Sequence, residues 1–247
     1  MTGAPELCVI TFLYEQPKEW ARMRRQPYTA AHVNALWRAV GANLSVPHRF
    51  ICFTDQPNGI MCETRPVWPS ITVDGQESCY RKVRAFDGDF QRGLGRRILC
   101  LDLDAVVLDW LDPLVTDDDF RIMRGSVNRL GQQCSYYNGS MWLCRAGART
   151  RFWDWFDPPL VAEARRRLIM PTGNRVEGSD QAWFSCCSSS ERTWGPEDGV
   201  VQFHMHRRGP DLPDGARIVF FAGNRKPWGR EVASSHPHLA EAWWRYA

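Results

Sequence analysis

Lysine is scarce in this 247-residue sequence. Only three of its 31 basic residues are lysines, at positions 18, 82 and 226, and the rest are arginines. The bias excludes no function, but it makes each lysine easy to single out. The net charge is only +3, which is too small to indicate a nucleic-acid partner by itself.

Long apolar runs and paired cysteine motifs are also missing. No segment approaches the roughly 18 apolar residues of a membrane helix, and the start, MTGAPELCVITFLYE, lacks the pattern of a signal peptide. The nine cysteines include no Cys-x-x-Cys pair, and Cys8, Cys52 and Cys100 lie in apolar segments. We therefore expect no membrane span, no disulfide framework and no zinc site, and a cytoplasmic location.

The first hundred residues alternate between two hydrophobic patterns. Continuous apolar runs at 6–14, 49–55 and 96–104 are typical of buried strands, whereas 28–44 and 78–86 have helical spacing. This alternation predicts an α/β fold with a parallel sheet and packed helices. Thr29 is the expected N-cap of the first helix.

The remainder of the chain has a mixed pattern. Short strands are expected at 120–123, 140–146, 199–206 and 216–223, and helices at 148–156, 160–168 and 179–187. Because no repeat or low-complexity linker interrupts the chain, we expect one domain over residues 1–247, with an elaborated C-terminal half.

Two acidic residues interrupt the apolar segment ILCLDLDAVVLDW. If the strand continues through them, Asp102 and Asp104 share one face at its carboxyl end, where ligands gather in open α/β sheets. Paired carboxylates suit Mg²⁺ or Mn²⁺ with positions left open for phosphate oxygens. The ordinary alternative is a pair of loop or capping aspartates.

Five segments, in order, resemble motifs of the nucleotide-sugar-dependent glycosyltransferases of the GT-A fold, particularly glycosyltransferase family 8 (the glycogenin-like enzymes). The segments are YRKVRAF (80–86), LCLDLDAVVLDWLDPL (99–114), YYNGSMWLCRAG (136–147), EGSDQAWF (177–184) and FFAGNRKPW (220–228). A haloacid-dehalogenase-like phosphatase also has an Asp-x-Asp after a strand. That alternative is weak because Ala105 and Val106, not Gly-Thr, follow here.

The resemblance implies a GT-A fold, with a Rossmann-like, mostly parallel sheet and helices on both faces. Residues 1–104 would form the nucleotide-binding half and 105–247 the half that binds the sugar and acceptor. The implied activity is transfer of a sugar from a nucleotide sugar, a UDP-sugar above all, to an acceptor hydroxyl. Transfer would be metal-assisted, with Mn²⁺ or Mg²⁺, and would retain the anomeric configuration.

The resemblance also implies roles for individual residues. Thr11 and Tyr14 would face the base, Asp102 would meet the ribose and the metal, and Asp104 would bind the metal. The residues around the transferred sugar and the reacting centre would be Asn138, Asp180 and Gln181, with Lys82 and Lys226 on sugar or phosphates.

Several of these residues have ordinary structural interpretations. Asn138 could belong to a turn before a strand, and Asp180 could be a first-turn helix acid behind a Ser179 cap. Lys226 could be a surface lysine, and Tyr14 a core aromatic.

One departure from the family pattern concerns the third metal ligand. Family 8 places a histidine shortly before the glycine of the last motif, where this sequence has Phe220 or Ala222, depending on the register. Neither side chain binds a metal, and His204 or His206 could substitute. The departure opens a second hypothesis, a module that binds nucleotide sugar without turning it over.

The sequence does not identify the acceptor, which could be a glycan, a small molecule or modified DNA. Arginines cluster at 22–25, 165–167 and 207–208, and such clusters could line hydroxymethylated DNA. Solvated surface is the more ordinary explanation, because acidic residues nearly balance the basic ones.

Overall fold

The structure is a computed structural model that describes residues 6–15, 27–77, 79–125, 132–203, 212–221 and 223–247. The predictions for His204, His206, Ala222 and the arginines at 22–25 and 207–208 fall outside these residues.

The described chain alternates strands and helices, with a few short 3₁₀ helices. The strands are β1 (Leu7–Leu13), β2 (His48–Thr54), β3 (Glu63–Pro66), β4 (Thr72–Val73), β5 (Gln76–Glu77), β6 (Arg97–Leu101), β7 (Ala105–Val107), β8 (Phe120–Arg124), β9 (Tyr137–Arg145), β10 (Arg192–Trp194), β11 (Val200–Gln202) and β12 (Ile218–Phe220). The α-helices are α1 (Ala30–Asn43), α2 (Gly88–Arg92), α3 (Arg151–Asp154), α4 (Pro158–Arg167), α5 (Asp180–Cys187), α6 (Arg230–Ser235) and α7 (Pro237–Trp244). The 3₁₀ helices are Cys79–Phe86, Asp112–Leu114 and Pro196–Asp198.

A mainly parallel sheet has the strand order β10-β8-β9-β6-β1-β2-β3. All seven residues of β1 are buried, which explains its continuous apolar run, since a strand covered on both faces needs no polar alternation. A second sheet, β11-β12-β7, pairs β12 antiparallel with β7. The predicted α/β fold is confirmed.

The segment 96–104 is not one strand. Strand β6 ends at Leu101, and the Ala105 N–H donates to the Asp102 carbonyl at 3.3 Å, closing a turn over Asp102–Asp104. The next strand, β7, belongs to the other sheet. Strand alternation therefore does not orient the two aspartates, and the prediction that they extend β6 was wrong.

Two further predictions change in detail. The segment predicted as a helix over 78–86 is a 3₁₀ helix, Cys79–Phe86. The helix predicted over 148–156 is only Arg151–Asp154, because Arg149 adopts φ 113°, a left-handed value that does not continue a helix. Thr29 does precede α1 as its N-cap.

The chain divides into two compact units. Unit one comprises residues 1–8, 68–99 and 118–193, and unit two comprises residues 9–67, 100–117 and 194–247. The core of unit one centres on Phe86, whose ring lies 4.6 Å from Trp142 and 5.0 Å from Phe152 between centroids. That residues 1–247 form one domain, with a nucleotide-binding half that ends at residue 104, stays a prediction.

Unit two has an apolar core of its own beside β7 and β12. Helices α1 and α7 both pack on β7, and buried Val106, Val219, Phe221, Leu239 and Trp243 fill the space. Among the described residues of the whole chain, no helix has the length and apolar character needed to cross a bilayer.

Candidate active site

Unit two contains a buried ion pair at the turn after β6. The Lys226 ammonium donates to Asp104 Oδ2 at 2.6 Å and to the Phe221 carbonyl at 2.6 Å. Both charged residues are only 8% exposed. The carbonyl is within reach because Phe221 follows β12, whose last residue, Phe220, pairs with Ala105. Lys226 is thus not a surface lysine.

Aromatic residues border this pair. The Tyr28 hydroxyl donates to Asp104 Oδ2 at 3.0 Å, and Lys226 Nζ lies 5.4 Å from the centre of the Tyr28 ring. The His32 ring lies 4.2 Å from the Trp228 ring between centroids. We call Tyr28, His32, Asp104, Lys226 and Trp228 the aspartate-104 cluster.

His32 is held in one protonation state. The Thr29 backbone N–H donates to His32 Nδ1 at 2.9 Å, so this nitrogen carries no proton and the proton of the neutral ring is on Nε2. Burial, with a smaller contribution from the charge of Lys226, lowers the pKa of His32 to about 4. The imidazole is therefore neutral at physiological pH.

One carboxylate oxygen of Asp104 has no hydrogen-bond donor among the described residues. Its Oδ1 is buried and accepts no hydrogen bond from any residue that the structure describes. Asp102, two residues earlier, is half-buried. Mg²⁺ is often held by one or two carboxylates together with substrate phosphates, so Asp102 and Asp104 fit a divalent ion of this kind.

In the described part of the chain, no third metal-binding side chain is grouped with these two aspartates. Within it, no three His, Cys, Asp or Glu side chains are grouped to hold an ion. Phe220, one of the two positions that correspond to the family's third ligand, is buried at 1% exposure in β12. A bound ion would therefore depend on ligands from the substrate or from residues outside the described ranges.

The two residues predicted to meet the base lie at the end of β1. Thr11 is fully buried, and its hydroxyl donates to the Leu101 carbonyl of β6 at 2.8 Å. Tyr14 follows β1 and is half-buried. Thr11 thus joins β1 to the end of β6, and a role of either residue toward a nucleotide stays a prediction.

Unit one contains a second buried lysine–aspartate pair. Lys82 Nζ lies 3.4 Å from Asp180 Oδ2, and both residues are 6% exposed. Asp180 is the first residue of α5, which packs against both β9 and the 3₁₀ helix that carries Lys82. Ser179 occupies the N-cap position, but its hydroxyl donates to Asp180 Oδ1 at 3.2 Å.

Asn138 and Gly139 lie within β9, where the bulge begins after Asn138, and not in a turn before the strand. The β8–β9 register passes from Ile122 opposite Trp142 to Met123 opposite Asn138, and Asn138 Oδ1 accepts the Ser140 N–H at 2.9 Å. A Cβ on Gly139 would lie 2.5 Å from Asp180 Oδ2. We call Lys82, Asn138, Gly139 and Asp180 the aspartate-180 cluster.

The Gln181 side chain occupies space that only a glycine at position 178 leaves free. It is half-buried, and its Nε2 donates to the Glu177 carbonyl at 3.4 Å. Gly178 has φ 97°, and a Cβ there would lie 2.5 Å from Gln181 Cγ. The Gly-Ser-Asp-Gln segment therefore requires its glycine for both conformation and space.

The described arginine run at 165–167 has partners inside unit one. Arg165 donates to the Tyr80 hydroxyl, Arg166 pairs with Asp74 at 3.0 Å, and Arg167 pairs with Glu163 at 2.5 Å. Burial raises the pKa of Tyr80 to about 12, so it stays protonated. These contacts favour the ordinary explanation of this run over a DNA-binding one.

Sequence reasoning assigned no site role to four residues of these clusters: Tyr28, His32, Gly139 and Trp228. The spacing of Thr29 and His32 is that of a capping box, but it gives no hint that the imidazole borders an ion pair. No local pattern identifies Gly139 as the neighbour of Asp180, because the two residues are 41 positions apart in the chain.

The comparisons with known proteins bear on the fold. The galactosyltransferase LgtC, solved with donor and acceptor sugar analogs, aligns with a TM-score of 0.54 and 12% identity over 97% of this chain and 96% of its own. The glycosyltransferase GlyE of Streptococcus pneumoniae TIGR4 aligns with a TM-score of 0.60 and 14% identity over 98% of this chain and 60% of its own. No protein-family model and no curated protein matches the sequence.

At such identities the likeness establishes the fold alone. The predicted GT-A glycosyltransferase fold is confirmed, and membership of family 8 stays a prediction.

Proposed function

We propose that this protein is a glycosyltransferase that moves a sugar from a nucleotide sugar, with UDP as the expected nucleotide, to an acceptor hydroxyl. The observation that carries the proposal is the buried Asp104–Lys226 pair at the carboxyl end of β6, in a fold shared with known glycosyltransferases. The same likeness in fold, over 97% of this chain for LgtC, favours this function over the phosphatase alternative.

The aspartate-104 cluster is assigned to the diphosphate of the donor. An ammonium group is a strong charge-assisted donor to phosphate oxygens, and Lys226 has one donor beyond those it gives to Asp104 and to the Phe221 carbonyl. Negative charge builds up on the leaving diphosphate, so a cation beside it lowers the barrier. A divalent ion, Mn²⁺ or Mg²⁺, held by Asp102 and Asp104 would supply further positive charge there.

The aspartate-180 cluster is assigned to the transferred sugar. The carboxylate of Asp180 and the amide of Asn138 are hydrogen-bonding groups of the kind that bind sugar hydroxyls, and Gln181 lies next to Asp180 in the chain. Lys82 offsets the charge of the Asp180 carboxylate. If the anomeric configuration is retained, the phosphate oxygen that leaves the sugar would take the proton of the acceptor hydroxyl. The acceptor would then attack from the same face of the sugar that the phosphate leaves.

A second candidate function is binding of a nucleotide sugar without turnover. It is favoured by the third-ligand position: among the described residues no group of three metal-binding side chains occurs, and Phe220 is a buried apolar residue. Tight nucleotide binding together with an intact, uncleaved donor would support this candidate.

The test is release of nucleoside diphosphate from a panel of nucleotide sugars, with and without Mn²⁺. We expect release of UDP from at least one UDP-sugar, and a loss of about 10²-fold or more in Asp104→Ala. Asp109→Ala is the matched control, because Asp109 is half-exposed and pairs with Arg217 at 3.1 Å.

Three outcomes distinguish the hypotheses. Release that depends on Asp104 and not on Asp109 supports the proposal. Nucleotide binding without release supports the second candidate. No binding and no release with any nucleotide sugar would overturn both.

A further inference from the structure

We propose that Lys226 and a divalent cation compete for Asp104, so that the protein holds the cation weakly until a nucleoside diphosphate draws Lys226 away. Cation and nucleotide would then promote each other's binding. The inference rests on the proposed function for the identity of the nucleotide, but its first half concerns the cation alone.

The first step is the occupancy of Asp104. Its Oδ2 accepts hydrogen bonds from both Lys226 at 2.6 Å and Tyr28 at 3.0 Å. Its Oδ1 is buried and receives no hydrogen bond from the described part of the chain. The charge of the carboxylate is therefore offset at Oδ2, while no described residue uses the lone pairs of Oδ1.

The second step is the position of the ammonium. Lys226 is 8% exposed, and two of its three donors are used, on Asp104 and on the Phe221 carbonyl. A divalent ion on Asp104 would lie close to this ammonium in a poorly solvated place, where repulsion between like charges is strong. Binding of the ion to the free protein is weakened accordingly.

The third step is what a diphosphate changes. Its oxygens offer the ammonium a partner with more negative charge than one carboxylate. When Lys226 turns to the phosphate, both oxygens of Asp104 lose their positively charged neighbour and become ligands for a cation. Since coupling between two bound species is reciprocal, cation and nucleotide must strengthen each other equally.

The experiment measures dissociation constants by calorimetry for Mn²⁺ alone, for UDP alone, and for Mn²⁺ at saturating UDP. We expect saturating UDP to tighten Mn²⁺ binding to the wild-type protein by about 10-fold or more. We expect Lys226→Gln to bind Mn²⁺ alone about 10-fold more tightly than the wild type, because the competing charge is gone. In this variant UDP should tighten Mn²⁺ binding less than in the wild type.

Arg225→Gln is the matched control. It removes the same charge one residue away, but Arg225 pairs with Glu231 at 2.9 Å and is well exposed. Its affinity for Mn²⁺ alone should equal that of the wild type. A tightening equal to that in Lys226→Gln would show a general charge effect and overturn the competition.

Asp104→Asn gives the converse test. It should abolish the effect of Mn²⁺ on UDP binding, while UDP alone should bind at least as tightly as to the wild type, because Lys226 no longer faces a carboxylate. Weaker binding of UDP alone would overturn the competition.

The remaining outcomes are equally decisive. If folded Lys226→Gln binds Mn²⁺ alone no more tightly than the wild type, the competition is wrong. If Lys226→Gln does not fold, Tyr28→Phe removes one donor from Asp104 Oδ2 and should tighten Mn²⁺ binding, and an unchanged affinity would count against the inference. If no nucleoside diphosphate binds, the proposed function fails, while the Mn²⁺-alone comparison still decides the competition.

Discussion

The described part of the chain contains two lysines, one in each unit, and each is buried against an aspartate. Lys226 lies 2.6 Å from Asp104 in unit two, whereas Lys82 lies 3.4 Å from Asp180 in unit one. All four residues are 8% exposed or less. In a protein whose basic residues, apart from Lys18, are otherwise arginines, both buried pairs use the compact ammonium group.

The difference between the pairs lies in what else holds the aspartate. Asp104 is held by donors on one oxygen and has none from the described residues on the other. Asp180 is held by Ser179 and Lys82 and is crowded by the bulge at Gly139. The first arrangement suits a carboxylate that exchanges cations, and the second suits a carboxylate kept in one position.

The largest expected effect is the loss in free energy of unfolding when the lysine of each pair is removed, and it should differ between the two pairs. Lys226→Met leaves Asp104 buried without its cation, which should lower the free energy of unfolding by about 3–5 kcal/mol. Lys82→Met breaks a longer contact and should cost less, about 1–3 kcal/mol. Urea unfolding measures both values, and a larger loss for Lys82→Met would contradict the comparison.

The next effect concerns acid, and it comes from His32 in the aspartate-104 cluster. His32 has a pKa of about 4 in the folded protein against an ordinary 6.5, so between these values the unfolded chain binds a proton that the folded protein does not. Stability is therefore lost as the pH falls from 6.5 to 4, by about 3 kcal/mol from this residue.

Unfolding of the wild type and of His32→Gln at pH 7 and at pH 4 measures this contribution. The wild type should lose more stability than His32→Gln on acidification, with His48→Gln as the control for loss of an imidazole. Equal losses in the wild type and His32→Gln would show that His32 is not held neutral.

A smaller effect tests the crowding in the aspartate-180 cluster. Gly139→Ala should cost about 1–3 kcal/mol, because the new methyl group meets Asp180 Oδ2. The same change in an Asp180→Ala background should cost less, since the opposing carboxylate is gone. Gly41→Ala is the control, because a Cβ at Gly41 meets nothing within 4 Å, and an equal cost there would argue against crowding.

The smallest effect is expected at the surface of α4. Arg166 and Asp74 are both more than half exposed as side chains, and such pairs contribute about 0.2–1 kcal/mol. Arg166→Gln should therefore change the urea midpoint little and should not change nucleotide affinity. A large loss of either would assign this arginine run a role beyond a solvated surface.

The sequence predicts the fold well because its strongest signals are local. The buried run of β1 and the amphipathic face of α1 each follow from spacing within one element. The extent of β6 was predicted wrongly, because an apolar segment and its acidic end do not reveal the turn that the Ala105 N–H closes with the Asp102 carbonyl.

The candidate site could be predicted only in part. Asp104, Lys226, Lys82 and Asp180 were identified singly, but their pairing brings together residues up to 122 positions apart. Tyr28 and Gly139 were not identified, because their roles depend on contacts with residues that are distant in the sequence. Tyr28 donates to Asp104, and Gly139 leaves space for Asp180.

The most direct test of the account compares UDP affinity and turnover in Asp104→Asn and Asp180→Asn. We expect Asp104→Asn to lose the strengthening of UDP binding by Mn²⁺. Asp180→Asn should keep Mn²⁺-dependent affinity within about threefold of the wild type while kcat falls by about 10²-fold or more. The opposite pattern, with Mn²⁺-dependent affinity lost in Asp180→Asn and kept in Asp104→Asn, would contradict the division of roles between the two clusters.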